Sequence, residues 1–442
     1  MERMITSSVP AAAETLTLAI DNFVNRKAEV APLLARAIEL DPDCTMAHAM
    51  QGLMLQIARN SNFRPMMQQA HEGANRHSAA ASVQEQEYVA ALNASVAGDI
   101  TTAVGCYESI LQTDPTDAFA LALCQSELFW LGEMNWSENI SARVEHAWAP
   151  GTRSYPAYLA MRAFDLEETG QFTAAEARGR EAVELEPGNV WGAHAVAHVL
   201  LMRGRSREGG QWLDQLQGNW DDANQLKFHL WWHRCLFYLE QRELDAVLDV
   251  YDRWVRNRDD PLVQALPDLY IDLQNGSSLL WRLEQAGINV GDRWLEMAEL
   301  AESRLDDLTS PFTSAHFAMI LAATGNTSAC TQLVDNMRSY NGSLDTLAVP
   351  YERAAIPAAL ASIAHRQGDF TAVVEHLYPA RRLLWQMGGS HAQQDIFMQM
   401  LHDAATRCGR DDVARIVLHD LEMQGFVEPH QRLGYELVAA AQ

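Results

Sequence analysis

Three prolines constrain this chain more than any other feature. Leu40-Asp41-Pro42-Asp43, Thr113-Asp114-Pro115-Thr116-Asp117 and Leu185-Glu186-Pro187-Gly188-Asn189 each close an amphipathic stretch, and the prolines stand 73 and 72 residues apart. A proline there stops one helix, and the Asp, Thr or Asn that follows can cap the next. A second signal recurs between them: Ala97-Gly98-Asp99, Thr169-Gly170-Gln171-Phe172 and Gln367-Gly368-Asp369-Phe370, with Ala103, Ala175 and Ala372 shortly after. The glycine suits a tight interhelical turn, and the alanine lets two helices cross closely.

Hydrophobic residues recur at three and four rather than two, as in Ala-Glu-Ala-Arg-Gly-Arg-Glu-Ala-Val-Glu-Leu-Glu over 175–186, and β-branched alternating runs are scarce. The fold class is therefore all-α. The proline spacing is about twice the roughly 34-residue tetratricopeptide period, and Gly170 to Gly204 spans 34 residues. A tetratricopeptide-like right-handed superhelix of helical hairpins follows, with hairpins expected at 28–60, 84–115, 118–150, 156–187, 190–216, 224–257, 272–305, 311–340, 354–385 and 390–424. Loops are expected at Asn60–Pro65, Trp148–Pro156, Asn257–Pro267 and Tyr340–Pro350. The best seam lies near 258–270, dividing N-terminal repeats (1–257) from C-terminal repeats (258–442) of one continuous solenoid.

The net charge of −25 disfavours nucleic acid and anionic membrane as nonspecific partners. Six cysteines lie far apart with no C-x-x-C, the pattern of reduced small hydrophobes. With no signal-peptide pattern at Met1 to Ala13 and no run near 18 apolar residues, a cytoplasmic location is expected. A homo-oligomer is compatible with the sequence.

Two His-x-x-x-His pairs, His194/His198 and His229/His233, are offset by 35 residues, close to one hairpin repeat. In such a repeat the first helix of each hairpin lines the concave surface. Imidazoles four apart share a helix face, and packed helices lie about 8–10 Å apart, so these side chains can converge on one ligand or metal. The alternative is packing beside Trp191, Trp231 and Trp232 with bonds to backbone, since Ala195-Val196-Ala197 lacks the glutamate of the zinc-protease pattern.

Other polar residues fall on inner helices. Glu167 and Glu168 end the preceding first helix and read as groove residues or as a solvated helix end; His316 reads as a pocket residue or a satisfied core histidine. In Gly388-Gly-Ser390-His391-Ala-Gln393-Gln-Asp395, Ser390 and Gln393 form a capping box, and the glycines would let an anion approach the helix N-terminus. His391 and Asp395, four apart, could pair as base and orienter; the plain reading is an ordinary helix start. Arg293, beside Trp294, suits gripping a carboxylate, or forms a surface ion pair. The tryptophans are mainly core, with Trp232 a candidate groove wall. No P-loop, dinucleotide fingerprint, Gly-x-Ser-x-Gly or haem motif is present.

The stretches Trp191-Gly-Ala-His194-Ala-Val-Ala-His198-Val, His229-Leu-Trp-Trp-His233, Ser278-Leu-Leu-Trp281-Arg282-Leu283, Gly291-Asp-Arg-Trp294, Ala315-His316 and Gly388–Asp395 resemble the tetratricopeptide repeat protein 38 family, from about His48 to the C-terminus. The resemblance implies architecture more than activity, with polar motifs gathered on inner helices. The chain departs from that pattern at Asn275, where an aspartate is expected, and at Gln394, where an arginine is expected. If those two residues pair, this chain has lost both ends of a structural ion pair together. His391 is not a fixed feature of the family.

Two functions follow. One is a pocket on the concave face, lined by His194, His198, His229, His233, Glu168, Trp232, Arg293, His316 and the Ser390–Asp395 turn, that binds or acts on a small anionic or amide-bearing molecule. Histidines there serve as acid/base groups, or His194, His198, His229 and His233 hold a divalent metal. The other is a non-catalytic scaffold holding a peptide or partner helix in the groove. A peptide-carboxylate clamp wants Lys and Arg on inner helices, and the mapped positions carry His and Trp.

Overall fold

The computed structural model describes residues 5–340 and 346–436. Helices pair in chain order. α1 (Pro10–Val24) packs on α2 (Val30–Leu40), α3 (Thr45–Ile57) on α4 (Arg64–Arg76), α5 (Val83–Val96) on α6 (Ile100–Thr113), and α7 (Ala118–Leu131) on α8 (Met134–Val144). α9 (Tyr155–Glu168) pairs with α10 (Phe172–Leu185), α11 (Val190–Met202) with α12 (Ser206–Leu216), and α13 (Leu226–Glu240) with α14 (Leu244–Val250). The short α15 (Pro261–Ala265) precedes α16 (Tyr270–Gln285) and α17 (Arg293–Glu302), then α18 (Pro311–Ala323) and α19 (Thr327–Ser339). α20 (Ala348–Pro350) runs through a π turn into α21 (Ile356–Gln367), which pairs with α22 (Phe370–Ala380); α23 (His391–Arg407) pairs with α24 (Asp411–Met423). Among the described residues there is no sheet, only an isolated bridge between Lys27 and Ala223. Among the described residues no helix is long and apolar enough to cross a membrane.

The proline turns join one hairpin to the next. Asp117 accepts from the amides of Phe119 and Ala120, and Asn189 accepts from that of Gly192, so each caps an inner helix. Gly170, at φ +79°, makes the turn between α9 and α10. The first helices stack on one another: α7 on α9, α9 on α11, α11 on α13, and α13 on α16 across the 258–270 interruption. They are nearly all core. In α11 every residue but Trp191 is buried.

The first expected hairpin, 28–60, is out of phase. Its two helices, α2 and α3, belong to different hairpins, because α1 precedes and α4 follows. α1 has no side-chain cap at Val9, and α4 buries only Ala70, Gly73 and Ala74, so neither advertises itself. Of the expected 340–350 loop, residues 341–345 lie outside the described residues.

The superhelix also contacts itself across its interior. α23 packs on α11 and α16, and α1 packs on α7. After α24, residues 425–436 cross the ends of earlier hairpins. The Val427 amide donates to the Met202 carbonyl, Arg432 pairs with Glu240 at 2.9 Å, and the Tyr435 hydroxyl donates to Asp395 at 2.6 Å.

Candidate metal and ligand site

His194 and His198 lie on α11, and His229 and His233 on α13, all of them buried. Their rings form one cluster. Centroids are 4.4 Å apart for His194–His198, 4.9 Å for His194–His229, 5.0 Å for His194–His233, 4.6 Å for His198–His233 and 4.7 Å for His229–His233. One nitrogen from each can be chosen so that all four lie within 4.8 Å of one another.

Indole rings wall the cluster. Trp191 stacks on His194 at 4.6 Å, and Trp232 stacks on His229 at 4.9 Å with its N–H donating to the Ser278 hydroxyl. His229 Nδ1 bonds the Asn275 side-chain oxygen at 2.9 Å, which leaves Nε2 for the cluster. Both ring nitrogens of His194, His198 and His233 are buried with no hydrogen bond. His198 Nδ1 does lie 3.2 Å from Glu167 Oε2 and 3.5 Å from Glu168 Oε1, but the directions are wrong for hydrogen bonding.

Electrostatics divide the four. Burial holds His194 and His233 well below the usual histidine range, neighbouring imidazoles adding to it, and lowers His229 to about 3. Burial also pulls on His198, but Glu167 and Glu168 outweigh it and raise that ring to about 9. Burial pushes Glu167 up, and Glu168 beside it adds to the effect. His194, His229 and His233 are thus neutral imidazoles, the form that ligates metal.

The cluster forms one side of a cavity of about 250 Å³. Its lining includes His194 and His229, Trp191, Gln125, Phe129 and Trp130, with Gln393 from the start of α23. Arg26 joins it from the α1–α2 turn, which is held against the loop before α13 by Ala28 N–H to Asp222 and Asn224 N–H to Arg26. The Arg26 guanidinium sits 5.0 Å from the Trp191 ring. At ~30 Å³ per water the space equals roughly eight waters, the size of a small metabolite.

The other sequence candidates divide. Ser390 and Gln393 do form a capping box on α23. The anion site expected there is filled by the protein itself: Glu168 accepts from the His391 amide at 3.4 Å and lies 3.5 Å from His391 Nδ1. The neighbouring glycines admit protein rather than ligand. A Cβ on Gly388 would stand 2.5 Å from the Trp130 carbonyl oxygen, and one on Gly389 would stand 2.9 Å from the Phe312 ring.

His391 and Asp395 do not pair as base and orienter. Asp395 is bound by the Tyr435 hydroxyl and by Arg432 at 3.2 Å, both from the C-terminal segment, and by the Gln399 amide one turn along α23 at 2.9 Å. Arg293 grips a carboxylate, but that of Asp252, at 2.8 and 2.6 Å, and it does not line the cavity. His316 is a core histidine bonded to the Phe312 carbonyl at 2.9 Å between the rings of Phe312 and Phe397. Asn275 and Gln394, read as two ends of a lost ion pair, have separate partners: His229 for one, the Gly388 and Gly389 carbonyls for the other. Arg26 and Gln125 carried no sequence signal. Each reaches the cavity from a hairpin remote in sequence.

No family model matches the chain. By structure, 97% of it aligns with 93% of a chain from a human IFIT1 dimer with m7Gppp-AAAA, at 11% identity and a TM-score of 0.44. Yeast Tom70 aligns over 95% of this chain and 85% of its own, at 12% identity and a TM-score of 0.33. The P58(IPK) TPR domain aligns over 90% and 99%, at 11% identity and a TM-score of 0.20.

Proposed function

We propose that His194, His198, His229 and His233 hold a divalent transition metal, and that the adjoining cavity takes a small anionic or amide-bearing molecule. One observation carries this reading: both ring nitrogens of three of these four buried histidines lack a hydrogen-bond partner. A buried polar atom left unsatisfied costs about 1–3 kcal/mol. A cluster of them is stable only if something else engages the lone pairs. Imidazole nitrogens suit zinc, copper, nickel or iron. Four ligands at about 2.0–2.1 Å in a tetrahedron stand about 3.4 Å apart, so the rings need only a modest contraction from their present positions.

Asn275 behind His229 fixes which nitrogen faces inward, as groups behind metal-bound histidines commonly do. A bound ion of this kind polarises a carbonyl or acidifies a bound water. The chain's own groups supply orientation: Arg26 offers charge to an anion, Gln393 an amide, and Trp191 and Trp130 flat apolar walls. The motifs on α11, α13 and α16 that resemble the tetratricopeptide repeat protein 38 family support the reading, since the polar residues among them gather inside. A peptide or partner helix would need exposed inner helices. The near-complete burial of α11 and the passage of α23 through the interior favour an enclosed pocket instead.

Metal analysis of the purified protein, compared with His198→Ala and His233→Ala, tests this. Stoichiometric metal in the parent and its loss from both variants is the expected result. A parent that takes up no zinc, cobalt, nickel, copper or iron on reconstitution, with unchanged stability in both variants, sinks the metal centre.

A further inference from the structure

Behind His198 lies a second group of donors that the four-histidine site does not use. Glu167 and Glu168, the last two residues of α9, bring their carboxylates to 3.2 and 3.5 Å from Nδ1 of the His198 ring. Their side chains are 0% and 3% exposed. Both oxygens of Glu167 and Oε1 of Glu168 have no hydrogen-bond partner. One donor atom from each of Glu167, Glu168 and His198 can be chosen within 4.8 Å of the others.

We infer that Glu167, Glu168 and His198 form a second divalent-cation site, with the His198 ring bridging it to the ion of the histidine cluster. Three observations support it. The separations of 3.2 and 3.5 Å from His198 Nδ1 to the two carboxylates are those of neighbouring ligands around one ion at about 2.1 Å. The contacts fail hydrogen-bond geometry, as expected of donors aimed at a common point between them rather than at each other. Glu167 and Glu168 are also adjacent buried carboxylates that repel each other when ionised, and a divalent ion between them would relieve that repulsion. His391, 3.5 Å from Glu168 and a quarter exposed, flanks the pair on the solvent side. With both sites filled, His198 would give up both ring protons to solvent and offer Nδ1 to the carboxylate site and Nε2 to the histidine site.

This rests on the histidine cluster being a metal site, and the test separates the two. Full-length protein, the Glu167→Gln/Glu168→Gln double variant and His233→Leu are reconstituted with zinc(II), desalted and analysed for metal per chain, with far-UV circular dichroism to establish folding. Two ions in the parent and one in the double variant is the expected result. One ion in the parent, kept by the double variant and lost from His233→Leu, overturns the second site and leaves the histidine site standing. None in the parent overturns both. Copper(II) loading of the parent gives a readout that needs no variant. Two copper ions joined by one imidazolate ring couple magnetically, so the resonance signal per copper falls well below that of an isolated ion. Two ions with full, uncoupled signals would place the second elsewhere and overturn the bridge.

Discussion

Replacing His233 by leucine separates a metal centre from a merely well-packed histidine cluster. His233 is 0% exposed, neither ring nitrogen has a partner, and its neighbours are three imidazoles and the Trp232 indole. Leucine is apolar and close to histidine in volume. In metal-free protein the change removes two unsatisfied nitrogens, a gain of roughly 2–6 kcal/mol at about 1–3 kcal/mol each, against a shape mismatch of up to about 1.5 kcal/mol. With the full mismatch, the apo variant should therefore be more stable than the apo parent by about 0.5–4.5 kcal/mol. Zinc reverses the order. At about 1,000 times its dissociation constant a ligand stabilises the native state by ~4 kcal/mol, and the variant has lost one of four donors. At an unfolding entropy of ~2.1 cal/mol/K per residue, each kcal/mol moves the melting point of this chain by roughly 1 °C. Thermal unfolding in chelator and in excess zinc should then show the two curves crossing. If the variant melts lower than the parent in chelator, or zinc raises both equally, the idea that these nitrogens await an ion is refuted.

Other expectations concern single groups. Asp272 is 0% exposed with both oxygens unpartnered, and burial raises its carboxyl from 3.8 to about 7. Below pH 3.8 folded and unfolded chains both hold this proton; above it the unfolded chain loses the proton while the native state keeps it until about pH 7. Native stability should therefore fall across that window by up to ~4 kcal/mol, and Asp272→Asn should flatten the fall in urea titrations at pH 4, 6 and 8. Gly388→Ala meets the Trp130 carbonyl at φ +83°, so a loss of about 2 kcal/mol or more is expected in chemical denaturation. Tyr435→Phe removes the hydroxyl bond to Asp395 at 2.6 Å. It should cost about 1–2 kcal/mol and speed limited proteolysis within residues 425–436. Asn275→Asp puts a carboxylate behind His229 and should tighten metal binding by about tenfold or more in competition titrations.

Local signals carried much of the fold. The Asp-Pro and Glu-Pro turns, the interhelical glycines and the helical period located most hairpins from 84 onward, and the 35-residue offset placed four histidines on adjacent inner helices. Local signals failed where partners come from far along the chain. Asp395 faces residues from the C-terminal segment rather than His391, and Glu168 fills the anion position before α23 from more than two hundred residues upstream. Arg26 reaches the cavity because a turn near the N-terminus is tied to the loop before α13. Such contacts follow from how the superhelix curves, and curvature is the sum of many small interhelical rotations that no motif records.

The passage of α23 across the interior has a thermodynamic corollary. An open solenoid behaves as a row of dominoes: each unit leans only on its neighbours, so the ends fray first and melting is broad. Here the penultimate helix is wedged against α11 and α16, and the tail beyond α24 is fastened to α11 and α13. Neither the middle nor the C-terminal end can leave without the other, so this array should melt sharply, as a keyed arch rather than an unzipping row.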